Sequence, residues 1–170
     1  NHTKIKEFAH QHHNSIIIKT IGQGRITNRE KIRNIFTNKI DIFKIKNIDS
    51  YLLTPAIIQQ YIDKAYEIRI TVVDNQIFAA KVDSQNSSKT KIDWRREHLK
   101  FTPYLLPLEI EVKCLKLIES LGISFGAIDL IRTPEGSYIF LEINPNGQWA
   151  WIESDTGLEI SNAIINYLLV

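Results

Sequence analysis

"FLEINPNGQWAWIE", residues 140–153, opens as an apolar strand and then sets Glu142, Asn144 and Asn146 at alternate positions before a glycine and two tryptophans. Those tryptophans, Trp149 and Trp151, are expected to alternate along the chain leaving the strand. Side chains two residues apart point to the same face of an extended chain. A strand that would otherwise be buried therefore carries three oxygen-bearing groups to its end, which is a way to hold a hard cation.

Working outward, "ISFGAIDLIR" (123–132), the turn "TPEGS" (133–137) and "YIFLEIN" (138–144) read as an antiparallel hairpin. Centring the hairpin on that turn sets Asp129 opposite Leu141 or Glu142. With Glu142 as the partner, Asp129, Glu142 and Asn144 share one face, while Ile128, Leu130, Leu141 and Ile143 fill the core on the other. Two carboxylates that close repel each other unless a cation lies between them. An all-oxygen donor set fits Mg²⁺ or Mn²⁺. The plain alternative is an amphipathic hairpin with its polar face in water.

Magnesium held by few protein groups completes its shell with water and phosphate oxygens, so something must also grip phosphate. "SIIIKTIGQGR" (15–25) is a β-branched strand carrying Lys19, closed by Gly22 and Gly24. Glycines let backbone N–H groups approach phosphate, and the lysine supplies charge. It is not a Walker loop, because the G-x-x-x-x-G-K-[ST] spacing is absent.

Elsewhere, Ile5, Phe8 and Ala9 have helical spacing. The adjacent His10, His12 and His13 read as a solvated face, with a metal-ligand set as the alternative. "NREKIRNIF" is expected to be helical and "DIFKIKNI" a strand. "AIIQQYI" and "YEIRITVV" are strands, and the latter turns at "DNQ" into "IFAAKVDS" as a hairpin. "QNSSKTK" is expected to be a mobile loop. A helix runs from Pro107 to Leu121, with Gly122 as its cap. Thr156 and Glu159 have capping-box spacing before a closing helix, "LEISNAIINYLL".

The 170 residues are 44% hydrophobic and 24% charged, enough for one domain or two small lobes. No apolar run approaches a membrane span and no signal peptide opens the chain, so it is expected to be soluble and intracellular. The single Cys114 rules out an internal disulfide and falls on the apolar stripe of its helix. With no methionine anywhere, the chain is expected to be a piece of something longer. Residues 1–50 hold ten Lys/Arg against four Asp/Glu, whereas the remainder is net acidic. That asymmetry suits polyphosphate on one side and metal on the other, or nucleic acid.

Lys19 with its glycine loop, the hinge strand "IIQQYI", the hairpin "YEIRITVV…IFAAKVDS", "AIDLI" and "LEINPNG" together resemble the two lobes of an ATP-grasp ligase. More narrowly, "LTPAIIQQYIDKAYEIRITVVDNQIFAAKVDSQ", "DWRR" and "EINPNGQWAWIE" are similar to microviridin-type, or graspetide, peptide maturases. The resemblance implies an α+β ATP-grasp fold of two antiparallel-sheet lobes with flanking helices. Residues 1–62 would form the small lobe and 63–170 the large one. It implies that Lys19, with Gly22 and Gly24, contacts ATP phosphates and that the backbone around Gln60, Tyr61 and Ile62 binds adenine. Lys64 or Glu67 would meet the ribose, Arg69 would face the triphosphate, and Asp129, Glu142 and Asn144 would hold Mg²⁺ or Mn²⁺. Arg95, with Arg96, would hold the acidic side chain of the substrate. Four plain alternatives stand beside these roles: Gln60 as a turn residue, Glu67 as a solvent-facing partner of Lys64, Arg69 as a cross-strand ion pair, and Arg95 and Arg96 as surface charges beside a buried Trp94. Gln60 stands where many relatives carry an acid, which leaves its side-chain contact open.

The function implied is an ATP-dependent, ADP-forming carboxylate–amine or carboxylate–hydroxyl ligase, closing side-chain ester or amide crosslinks in a precursor peptide through an acylphosphate. The implied partners are that peptide and nucleotide; a homodimer is one assembly left open, and no membrane partner and a cytoplasmic location are expected. Rival readings are a glutamate-ligase-like enzyme acting on a protein or small carboxylate, a nucleotide-binding module without turnover, and a nucleic-acid binder. The last ranks low, because the basic first fifty residues offer only Phe8, Phe36 and Phe43 for stacking.

Overall fold

The computed structural model describes residues 2–21, 25–28, 31–45 and 55–169, so Gly22 and Gly24 lie outside the described residues. The chain forms two compact units. The first is Asn1–Ile62 with Ser88–Glu97, and the second is Asp63–Ser87 with His98–Val170.

In the first unit, helix α1 (His2–Gln11) delivers Ala9 into a buried cluster with Ile16 and Ile42, with Ile5 and Phe8 packed against it. Strand β1 (Ile16–Thr20) is the middle of a three-stranded antiparallel sheet, between β4 (Asn38–Ile40) and β5 (Ala56–Gln60). Asn14 locks the start of β1 to the turn after β4: its amide donates to Asp41 at 2.5 Å and accepts from the Ile42 N–H at 3.2 Å. The expected helix over "NREKIRNIF" is a hairpin instead, β2 (Arg25–Asn28) with β3 (Lys31–Asn34). Alternating β-branched and polar residues supply no helical apolar stripe there. The strand expected over "DIFKIKNI" is broken by a 3₁₀ turn, Ile42–Lys44, in which Asp41 accepts from the Phe43 N–H. His10 meets Phe43 edge-on and His12 lies tilted against Phe8, so these imidazoles are packed against aromatic rings. The "QNSSKTK" segment is folded into compact turns with Thr90 fully buried.

The second unit is a five-stranded antiparallel sheet in the order β10-β9-β6-β7-β8. Its strands are β6 (Tyr66–Val73), β7 (Gln76–Val82), β8 (Thr102–Pro103), β9 (Phe125–Arg132) and β10 (Tyr138–Asn144). One face carries Ile68, Ile70, Val72, Ile128 and Leu130, covered by Ile110, Cys114 and Ile118 of helix α2 (Leu108–Ser120). Burial of such side chains contributes about 1.5–3 kcal/mol each. Packing among them pushes the Cys114 thiol up to about 11, with Glu111 adding to the shift, so it is an inert core group. Helices α3 (Ala150–Thr156) and α4 (Ile160–Leu168) bury Ile152 and Ile160 completely, and α4 packs on β6.

Three expectations about this unit need correction. Leu141 is only half-buried and sits at a β-bulge, while Phe140, which pairs with Leu130, is 49% exposed at the sheet edge. Trp149 and Trp151 do not alternate along an extended chain, because Ala150–Thr156 is helical and Trp151 packs edge-on against Phe101 with ring centroids 4.9 Å apart. The capping box does not form either. Thr156 donates to the Ile152 carbonyl, and the start of α4 is capped from α3 by Glu153, which accepts from both the backbone N–H and the hydroxyl of Ser161.

Candidate active site

The second unit places the acidic pair at the end of its hairpin. Beyond the bulge at Leu141 the register moves by one residue, so Glu142 pairs directly with Asp129, Ile143 with Ile128 and Asn144 with Ala127. Glu142, Asp129 and Asn144 therefore share a face, and both β10 residues are exposed. Bulges re-aim side chains in this way, and Phe140, two residues before Glu142, consequently points to the opposite face.

Asn144 then starts a turn. Its side-chain oxygen accepts from the Asn146 N–H at 2.9 Å and its carbonyl from the Gly147 N–H at 3.2 Å. The turn folds the chain back over the sheet. A Cβ on Gly147 would lie 2.2 Å from the Ala127 Cβ and 3.0 Å from Arg69 Nη2, so only glycine fits. This approach carries the Gln148 carbonyl to 3.3 Å from Arg69 Nη2.

Arg69 lies on β6, directly across from Asp129. Its Nη1 donates to both oxygens of Asp129 at 2.9 Å, making a cross-strand ion pair. Its Nε is buried and donates to no group among the described residues, and the buried Thr71 hydroxyl on the same strand face is also without a partner there. Lys64 is buried, with its ammonium 2.8 Å from Glu67, whose side chain is largely buried as well. That pair holds the segment entering β6.

The donor set of Asp129, Glu142 and Asn144 is wholly oxygen, which suits a hard divalent ion. Among the described residues, no group of three or more His, Cys, Asp or Glu side chains is placed to hold a metal ion by itself. An ion here would have two carboxylates and an amide oxygen that already accepts one hydrogen bond. That suits magnesium, which keeps waters and takes substrate oxygens, better than a closed protein cage.

The first unit places Lys19 on β1, half-buried and paired with Ile57 of β5. Gln60 ends β5 opposite Ile16, and the Tyr61 N–H donates to the Ser15 carbonyl at 2.8 Å while Lys39 lies over the Tyr61 ring. Ile62 closes this unit. Arg95 is held by Asp93: Nε donates to Oδ1 at 2.8 Å and Nη2 to Oδ2 at 2.6 Å. Arg96 donates to the Thr37 carbonyl and the Asn38 side chain and lies over Phe36. Thus "DWRR" ties down the segment before β4, and Trp94 is only half-buried. Sequence reading missed Asp93 and the close approach of Gly147. The signals were an acid two residues before an arginine, and a glycine after "NPN".

The chain belongs to the RimK-like ATP-grasp domain family, whose model matches residues 13–168. Its fold is accordingly the ATP-grasp fold, built here as α+β.

Among solved structures it is similar to a Chryseobacterium gregarium RiPP-associated ATP-grasp ligase in complex with ADP and a leader and core peptide. The identity there is 33% and the TM-score 0.87, over 96% of this chain and 50% of that one. It is also similar to the macrocyclase MdnC of Microcystis aeruginosa MRC bound with precursor peptide MdnA, at 37% identity and TM-score 0.84, over 99% of this chain and 54% of that one. A third is the macrocyclase MdnB of the same organism, at 27% identity and TM-score 0.74, over 99% and 51%. The chain thus spans about half the length of these relatives. No curated protein matches it.

Proposed function

We propose that this chain is the ATP-grasp portion of an ADP-forming ligase that crosslinks side chains of a precursor peptide. The observation that carries this reading is the direct pairing of Glu142 with Asp129 beside Arg69, in a chain 33% and 37% identical to peptide-bound ligases. The second of these percentages belongs to a macrocyclase, which favours crosslinking over addition of a free amino acid.

In this reading a substrate carboxylate attacks the γ-phosphate of ATP, breaking its bond to the β–γ bridging oxygen and displacing ADP. The acylphosphate formed is captured by an amine or hydroxyl, giving an amide or ester and releasing inorganic phosphate. No protein nucleophile is needed. Positioning and charge neutralisation do the catalysis, and losing one such contact costs a few kcal/mol of barrier. Lys19, with Gly22 and Gly24, serves the phosphates; the hinge at Gln60, Tyr61 and Ile62 serves adenine. Because the Tyr61 N–H is spent on Ser15, other backbone groups of the hinge must do so. Lys64 and Glu67 border the ribose, and Arg69 meets the triphosphate. Arg95, aimed by Asp93, receives the acidic side chain of the peptide. Asp129, Glu142 and Asn144 would hold Mg²⁺ or Mn²⁺, which supplies charge neutralisation at the phosphates when bound.

The two compact units are proposed as the two lobes, with Ser88–Glu97 joining the first. Assembly as a homodimer and a cytoplasmic location belong to the same reading; among the described residues no helix is long and apolar enough to cross a membrane.

Calorimetry of ATP binding with and without Mg²⁺, on the native chain and on Glu142→Gln, tests the site. Tighter Mg²⁺-assisted binding that Glu142→Gln abolishes is expected; equal Mg²⁺ dependence in both would remove the metal assignment. Incubation with ATP and acidic, Thr/Ser/Lys-containing peptides tests the reaction, by loss of one water mass per crosslink. ATP binding without ADP release on any peptide would favour a module without turnover.

A further inference from the structure

Arg69 faces two ways in chemical terms. Its guanidinium is the cation already bound to Asp129, yet that residue is also the carboxylate on the floor of the proposed divalent site. The ion pair is bidentate through a single nitrogen, with both Nη1–oxygen distances at 2.9 Å. The rest of the guanidinium is poorly used: Nη2 reaches only the Gln148 carbonyl at 3.3 Å, and the buried Nε donates to no group among the described residues. A divalent ion bonded to an Asp129 oxygen at about 2.1 Å would sit no more than about 5 Å from Nη1, with like charges facing each other across one carboxylate. A triphosphate, by contrast, offers oxygens that can accept from Nε and an Nη together, the fork geometry arginine favours.

We infer that Arg69 is the resident counter-cation of the acidic pair, exchanged for the divalent ion when nucleotide arrives. Without nucleotide, guanidinium and metal compete for Asp129, so the chain takes up metal poorly. With nucleotide, the released guanidinium pairs with phosphate, and arginine and metal bind in support of each other. Arg69 thereby makes metal loading conditional on the triphosphate, a coupling of opposite sign in the two states. The inference deepens the ligase reading and rests on its metal assignment.

Mn²⁺ binding, followed by electron paramagnetic resonance of the free ion with and without a non-hydrolysable ATP analogue, separates the two. Arg69→Gln is expected to tighten nucleotide-free Mn²⁺ binding by about fivefold or more and to weaken binding in the presence of the analogue by a similar factor. The nucleotide-free gain should vanish in an Asp129→Asn background. On the unmodified chain, the Arg69 side-chain ¹⁵N resonances should move when Mg²⁺ and the analogue are added together and far less with Mg²⁺ alone, a readout that does not depend on a variant folding. Mn²⁺ binding that Glu142→Gln weakens but Arg69→Gln leaves unchanged, or weakens in both states, overturns the exchange while sparing the metal site. No Mn²⁺ binding by the native chain in either state overturns the ligase reading and this inference together.

Discussion

Gly147 shows how one missing side chain places a loop. The "NPNG" turn passes so close to the sheet that any Cβ there meets the Ala127 methyl and the Arg69 guanidinium. Gly147→Ala must therefore lift the loop, at a cost of about 1–3 kcal/mol from overpacking. It should also break the contact between Gln148 and Arg69. Thermal unfolding should register the loss, and Mg²⁺-dependent ATP binding should weaken with it; an alanine variant of native stability would show that the turn sits farther from the sheet. The alternation of Glu142 and Asn144 was legible in the sequence because strand periodicity is two. The backbone approach of Gly147 was not, since nothing local says which strand the turn will cover.

At the scale of elements, the bulge at Leu141 decides what the hairpin presents. Simple alternation puts Phe140 and Glu142 on one face, but the extra residue sends Phe140 toward Leu130 and Glu142 toward Asp129. Deleting Leu141 keeps those pairings, whereas deleting Ile139 shifts every pair between it and the turn. Deletion of Leu141 is accordingly expected to lower the melting temperature less than deletion of Ile139, while still weakening Mg²⁺-assisted nucleotide binding through the lost twist. Equal destabilisation by the two deletions would argue against this register. Elsewhere the hairpin of β6 and β7 and helix α2 follow from period and punctuation. The errors fell where another element takes over a local role, as when Glu153 of α3 caps α4 in place of the expected Thr156 and Glu159 box.

At the scale of the molecule, Ser88–Glu97 belongs with the first unit although the segments flanking it belong to the second. Asp93 anchors it. Burial pushes the Asp93 carboxyl up, but the Arg95 guanidinium and the N–H groups of Thr37 and Arg95 outweigh that and hold it below its ordinary value of about 3.8. A depressed folded value means the stabilisation is present above the unfolded pKa and is lost as pH falls through the folded one. The native chain should therefore lose this contribution only below about pH 4. Asp93→Asn should lack it at neutral pH, a cost of about 1–3 kcal/mol. Chemical denaturation at pH 7 and pH 3 checks this: the gap between native and variant should narrow on acidification, and a constant gap would mean that the charge is immaterial.

Strand and helix periods, the oxygen-rich end of β10 and the lysine on β1 were set by the sequence alone, because each depends on residues within a few positions of one another. Tertiary structure alone decided that Arg69 neutralises Asp129, that Asp93 accepts from the Thr37 N–H, and that a bulge brings Glu142 opposite Asp129. Each of these joins groups far apart in the chain or turns on one inserted residue, and only the packed sheet fixes such register.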